Sequence, residues 1–144
     1  VTQIDFYILP NDSIDARLHL ACRIADKALQ QNQHVFINAD SPAESARLDE
    51  LLWTFSQGSF IPHRVIDTNA AEPFAEPVLI GCGVSPVGDD WQILINLSGT
   101  VPEFFSRYQR VAELVDGNER RRTEGRERFR FYRDRGYELN THQM

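Results

Sequence analysis

The sequence predicts an α/β fold: a single domain over residues 1–144 with a mostly parallel sheet flanked by helices. Three observations carry that prediction. Short runs of β-forming residues alternate with helix-period segments through residues 1–55, the pattern of βαβ units with right-handed crossovers. A chain of 144 residues can bury one real core but not two comfortable ones. The composition is that of an ordinary globular chain, 42% hydrophobic and 25% charged, with no apolar run near the roughly 20 residues of a membrane span.

The elements follow in order. Ile4 to Leu9 is rich in β-formers and stops at the turn cluster Pro10-Asn11-Asp12-Ser13. Ile14, Leu18, Ala21, Cys22, Ala25, Ala28 and Leu29 then recur at helical spacing, up to a break at Gln30-Gln31-Asn32-Gln33. His34 to Asn38 is a short apolar strand. Ser41-Pro42-Ala43-Glu44 supplies an N-cap serine, a proline at the first helical position and a glutamate placed for a capping box. That helix runs to about Phe55. Beyond Ser56-Gln57-Gly58 the signal is choppier: a short strand within Phe60–Ile66, a loop from Asp67 to Pro77, and strands at Val78–Gly81 and Gln92–Asn96 with a turn at Gly88-Asp89-Asp90 between them. Pro102 is expected to open a helix through about Gln109, followed by a strand over Arg110–Val115. Asn118 is placed to cap a final arginine-rich helix that stops at Gly136.

An open parallel sheet invites a search for a nucleotide site, and the residues oppose one. The first strand leads into Leu-Pro-Asn-Asp-Ser without a glycine, and Gly81-Cys82-Gly83 lacks the third glycine and the helix of a dinucleotide fingerprint. No Walker-type lysine is present; the single lysine is Lys27. His19, His34, His63 and His142 are scattered without metal-ligand spacing, and Asp89-Asp90 reads as a solvated turn. No nucleophile elbow surrounds any serine. The expectation is a chain that is not an enzyme and holds no cofactor. The two cysteines, Cys22 and Cys82, fit buried or isolated free thiols rather than a disulfide framework. The first residues look like a strand rather than a secretory signal, so a cytoplasmic location is expected.

Charge is distributed unevenly. Eight of the fourteen arginines fall between residues 120 and 135. Residues 1–118 carry 7 basic and 16 acidic side chains, a net of −9, whereas residues 119–144 carry 8 and 5, a net of +3. A local cationic face on an anionic body points to recognition of an acidic ligand at one place. Setting Arg122 to zero, Arg126 lies at about 40°, Arg133 at about 20°, Arg130 at about 80° and Phe129 at about −20° around the final helix. Guanidinium forks beside an aromatic ring suit carboxylates or phosphates. The ordinary reading of such an arginine run on composition alone is a solvated charged face with pairs such as Glu124–Arg128, with Gly125, Phe129 and Tyr132 as the stripe that faces the core. Direct nucleic-acid binding through this helix is a further alternative, disfavoured by the acidic remainder.

A second surface lies at the end of the second helix. Leu48, Leu51, Leu52 and Phe55 define its buried face, and Trp53 projects roughly 150° away from it. Phe60-Ile61-Pro62 follows closely. An off-face tryptophan beside an apolar loop is either a protein interface or a ring that another loop covers.

The order of these pieces resembles the chi subunit of bacterial DNA polymerase III, over nearly the whole chain. The most telling words are Phe6-Tyr7-Ile8-Leu9, Arg47-Leu48-Asp49-Glu50-Leu51-Leu52-Trp53, Ser59-Phe60-Ile61-Pro62-His63, Gly125 to Arg133, and Gly136 to Thr141. The resemblance implies a Rossmann-like fold that is not a nucleotide enzyme. It implies binding of the acidic C-terminal tail of single-stranded DNA-binding protein, at Arg122, Arg126, Phe129 and Arg130 with Val115 lining the pocket. Phe129 stands where a tyrosine is common in the family, which removes a hydroxyl. The region of Trp53, Phe60, Ile61 and Pro62 matches the family's surface for the psi subunit, or for an XPD-like helicase. Contact with DNA would then be indirect, with no membrane partner.

Overall fold

The computed structural model describes residues 1–55, 60–67, 74–86 and 91–144. Its elements are β1 (Gln3–Ile8), α1 (Ile14–Gln30), β2 (Val35–Asn38), α2 (Pro42–Thr54), β3 (His63–Val65), β4 (Val78–Gly81), β5 (Ile93–Asn96), β6 (Arg110–Val115), α3 (Glu119–Asp134) and β7 (Glu138–Gln143). The seven strands form one sheet in the order β3-β4-β2-β5-β6-β1-β7, and every described pairing is parallel. The predicted α/β class with a parallel sheet is what the chain adopts. The turns read at Ser56-Gln57-Gly58 and Gly88-Asp89-Asp90, and most of the loop after Asp67, lie outside the described residues.

Successive strand residues face opposite sides, so the sheet separates two cores. On one side Leu18, Ala21, Cys22 and Ala25 of α1 and Leu48 and Leu52 of α2 pack on Val35, Ile37, Ile80 and Ile95. On the other side Tyr132 of α3 and the loop residues Phe105 and Tyr108 cover Ile4, Phe6, Phe36, Leu94 and Val111. Burial pushes the Cys22 thiol up to about 12, as befits a packed free thiol. No helix among the described residues is long and apolar enough to cross a membrane.

Local chemistry sets the helix ends. Ser13 Oγ accepts from Ala16 N at the start of α1. Ser41 Oγ accepts from Glu44 N, with Pro42 at the first helical position of α2. Glu44 departs from the expected capping box: its Oε1 accepts from Asp40 N rather than from the cap residue, and its Oε2 meets the buried Arg17 at 2.6 Å.

Two expectations need correction. Residues 102–109 do not form a helix; a single 3-10 turn spans Phe105–Arg107, and Tyr108 returns to extended backbone at φ −102 and ψ 150. The segment is pinned by core rings, with Phe105 and Tyr108 buried, and must deliver Gln109 and Arg110 to the Gln92 carbonyl at the start of β6. Residues 138–143, unassigned from sequence, form the edge strand β7 in parallel register with β1.

Candidate functional site

The arginine segment folds as α3 because Asn118 caps it, accepting from Arg121 N at 3.0 Å, and Gly136 ends it at φ +80. Its arginines then divide by partner. Arg121 holds Asp116 through Nε and Nη2 at 2.7 and 2.8 Å and reaches Asp12 at 3.3 Å. Burial alone would push the Asp116 carboxyl up, but the Arg121 bonds and the Asn118 N–H outweigh it and hold it below the usual range. Arg120 lies 3.8 Å from Glu124, Arg133 meets Asp134 at 3.3 Å, and the Arg135 guanidinium sits 3.6 Å from the centre of the Phe131 ring.

Arg128 corrects the predicted stripe. It does not pair with Glu124 on a solvated face; it points inward and its Nε donates to the fully buried Glu113 at 2.9 Å. Tyr132 Oη donates to the other Glu113 oxygen at 2.6 Å, and Asn96 Nδ2 donates to the same carboxylate. The core stripe of α3 is therefore Gly125, Arg128 and Tyr132, while Phe129 is half-buried.

Arg122, Arg126 and Arg130 remain. All three are exposed, and none makes an ion pair among the described residues. Arg122 Nε makes a long bond of 3.4 Å to the Asp116 carbonyl, and Arg126 donates to Thr123 Oγ1 at 3.3 Å. Arg122 and Arg126 border a groove of about 400 Å³ with Phe129 and Gly125 on the same wall. The floor is Phe6 and Ile8 of β1 and Val115 of β6; Thr141 and Gln143 of β7 form the far side. Gly125 fits closely there, since a Cβ would stand 2.9 Å from Val115 Cγ2 and either the Val115 side chain or α3 would have to shift. The Phe129 ring meets Phe6 edge-on at 5.3 Å, so it packs and lines at once. Arg130 lies outside this groove, in an adjoining hollow of about 290 Å³ that shares Arg126 and Phe129 and adds Thr123 and Arg133.

Four of the five expected residues, Val115, Arg122, Arg126 and Phe129, thus share one groove, and Arg130 extends it. Sequence reading missed Phe6, Ile8, Thr141 and Gln143. Phe6 and Ile8 carried a signal, because alternate residues of one strand share a face; Thr141 and Gln143 carried none without β7. An apolar floor under guanidiniums that make no ion pair among the described residues suits a ligand that joins a carboxylate to an apolar group.

At the opposite end of the sheet Trp53 is 53% exposed and Phe60 is 65% exposed, with ring centres 5.3 Å apart. Ile61 is a correction to the expected interface: it is fully buried in the core beneath α1 and α2 and anchors the segment instead of offering a contact. Pro62 is half-buried. His63, expected to be a packing or hydrogen-bonding side chain, is buried with Nδ1 2.7 Å from the Ile61 carbonyl and Nε2 3.0 Å from Asp49 Oδ1.

The crevice beyond the strand ends, where such folds take nucleotides, is filled between β1 and β6. The Gly117 N–H donates to the Asn11 carbonyl at 2.9 Å, and a Cβ on Gly117 would lie 2.9 to 3.0 Å from the backbone of Pro10, Asn11 and Asp12. The Asp116–Arg121–Asp12 pairing closes over it. Among the described residues no group of three or more His, Cys, Asp or Glu could hold a metal ion.

With this geometry in hand, residues 1–140 match the family model described as DNA polymerase III chi subunit, HolC. The chain belongs to the DNA polymerase III chi subunit family. It is 39% identical over 144 residues to DNA polymerase III subunit chi of Pseudomonas aeruginosa, covering 100% of this chain and 98% of that one. Identity to the protein of the same name from Escherichia coli is 29% over 140 residues, covering 94% of each. The Haemophilus influenzae protein of that name is 26% identical over 136 residues, covering 94% of this chain and 93% of its own. In fold, this chi-family chain is also similar to the crystal structure of T4 UvsW, with a TM-score of 0.66 at 10% identity over 99% of this chain and 42% of that one. That likeness is one of architecture alone.

Proposed function

We propose that the chain is a non-catalytic adaptor of the DNA polymerase III holoenzyme. Its α3 groove holds the acidic C-terminal tail of single-stranded DNA-binding protein, and its Trp53–Phe60 surface links it to the clamp loader through psi, or to an XPD-like helicase. One observation carries the reading: Arg122, Arg126 and Arg130 lack acidic partners among the described residues beside an apolar-floored groove, on a chain whose first 118 residues are strongly anionic. Arg122 and Arg126 pair with the tail's terminal carboxylate. The last aromatic ring lies on Phe6, Ile8 and Val115 against Phe129, and preceding aspartates reach Arg130. A role as a binding module also accords with the filled crevice at β1 and β6. Contact with DNA is then indirect, through the protein that coats it.

A short tail peptide should bind at about micromolar strength, or about 8 kcal/mol, and weaken with salt because the guanidiniums are exposed. Calorimetric titration with a tail peptide, with and without its terminal phenylalanine, tests the groove; equal affinities for the two would sink it. Tight, steeply salt-dependent binding of oligonucleotides together with indifference to the peptide would favour direct nucleic-acid binding instead.

A further inference from the structure

We propose that the groove between α2 and β3 receives a cationic amphipathic segment of a protein partner, an arginine or lysine set among apolar side chains. The inference rests on reading this end of the sheet as a docking surface, and it states what the occupant must carry. The groove has a volume of about 360 Å³, with walls from Ser45, Ala46 and Asp49 of α2 and from Val65, Ile66 and Asp67 at β3 and just beyond.

Its rim is apolar on one side. Trp53 lies one helical turn past Asp49, close to the ring of Phe60, and Val65 is 43% exposed. Large apolar side chains exposed singly are normal; Val65 in the groove wall, with Trp53 and Phe60 exposed side by side one helical turn beyond Asp49, marks a contact surface. Trp53 is also held in place. Its ring centre is 4.6 Å from that of His63, whose side chain is fully buried, with Nδ1 hydrogen-bonded to the Ile61 carbonyl and Nε2 3.0 Å from Asp49 Oδ1. A pre-set aromatic ring loses little freedom when a partner covers it.

The rim's charge is negative and uncompensated. Asp49 is 43% exposed; its Oδ1 lies 3.0 Å from His63 Nε2, and neither of its oxygens accepts a hydrogen bond among the described residues. Asp67 is exposed and makes no ion pair there either. The neighbouring cations are already engaged: Arg47 with Asp15 and Glu50, and Arg64 with both oxygens of Glu76. A carboxylate next to an aromatic face is the pairing that recognises a guanidinium or ammonium. The anionic body around it steers cations toward the groove.

The test is selection of random 15-residue peptides displayed on phage against the full chain, with counter-selection on the Trp53→Ala variant. Binders are then titrated against wild type, Asp49→Asn/Asp67→Asn and Arg126→Glu, with circular dichroism confirming that each variant is folded. The expected binders carry arginine or lysine among apolar residues, lose about tenfold in affinity on Asp49→Asn/Asp67→Asn, and ignore Arg126→Glu. That last arm separates this groove from the one on α3, so failure of acidic-tail binding there would leave the result standing. Trp53-dependent binders without basic residues, binders indifferent to both aspartates, or no Trp53-dependent binders at all would overturn the proposal. So would self-association of the wild type that Trp53→Ala abolishes, since the occupant would then be a second copy.

Discussion

Arg126 and Arg128 stand two residues apart on one helix and illustrate opposite uses of the same side chain. Arg128 is 5% exposed, its guanidinium bonded to Glu113 and to the Gly99 carbonyl. Arg126 is exposed, bonded within the chain only to a threonine hydroxyl among the described residues, and borders both hollows on α3. One guanidinium is committed to a buried acid and is structural; the other meets no acid among the described residues. The count of arginines in the segment therefore says little about binding. What identifies the groove is which guanidiniums the fold leaves without an acid.

The sharpest way to break this contrast is to remove the inner arginine. Arg128→Ala leaves Glu113 buried with a charge that has lost its partner, so stability should fall by about 3–5 kcal/mol, read from urea unfolding midpoints. A loss under about 1 kcal/mol would show that water reaches Glu113 and that the two arginines are not so different. Gly125→Ala comes next. The new Cβ must displace Val115 or lift α3, costing about 1–3 kcal/mol and distorting the groove floor, which a crystal structure or Val115 methyl NMR shifts would reveal. Arg126→Glu should leave stability within about 0.5 kcal/mol while weakening acidic-tail binding on the order of tenfold or more by calorimetry. Equal affinity in a folded variant would place the ligand elsewhere.

Acid gives the mildest test. Burial alone would raise the Asp5 carboxyl, but bonds from Arg110 at 2.8 and 3.1 Å and the contact with His142 hold it below its ordinary 3.8. Asp116 is lowered in the same way by Arg121. A carboxyl whose folded value is depressed contributes stability that is full above its unfolded value and is lost as pH falls through the folded one. Urea midpoints should accordingly drop below about pH 4, and Asp116→Asn should flatten that drop. A midpoint independent of pH between about 2 and 5 would contradict it.

Much of the architecture is readable in the residues because local and global preferences agree. Residues 35–37 and 93–95 are continuous apolar runs, as strands covered on both faces must be, and Ser41-Pro42 marks the start of α2 at the observed position. The misses have physical causes. Phe104, Phe105 and Tyr108 have helical spacing, yet their rings are used as separate anchors in the loop-covered core, and the segment turns only once. Glu138 to Gln143 is largely exposed and has Leu139 as its one apolar residue, so no alternating pattern marks it as a strand before it pairs with β1. The far wall of the α3 groove was invisible for that reason. Arg128 was misplaced because a buried arginine looks like any other until its acid, fifteen residues earlier in sequence, is brought beneath it.

The strand order has one more consequence. Trp53 and Phe60 flank β3 at one edge of the sheet, while the α3 groove lies over β6, β1 and β7 at the other. Five or six steps of about 4.8 Å put roughly 25–30 Å of parallel sheet between them. Two occupants could therefore ride on the molecule together without touching, held at a fixed separation by a strut rather than by a flexible tether. If those occupants are themselves parts of one assembly, each capture raises the local concentration of the other, and two weak grips combine into a durable one without either site altering the other's shape.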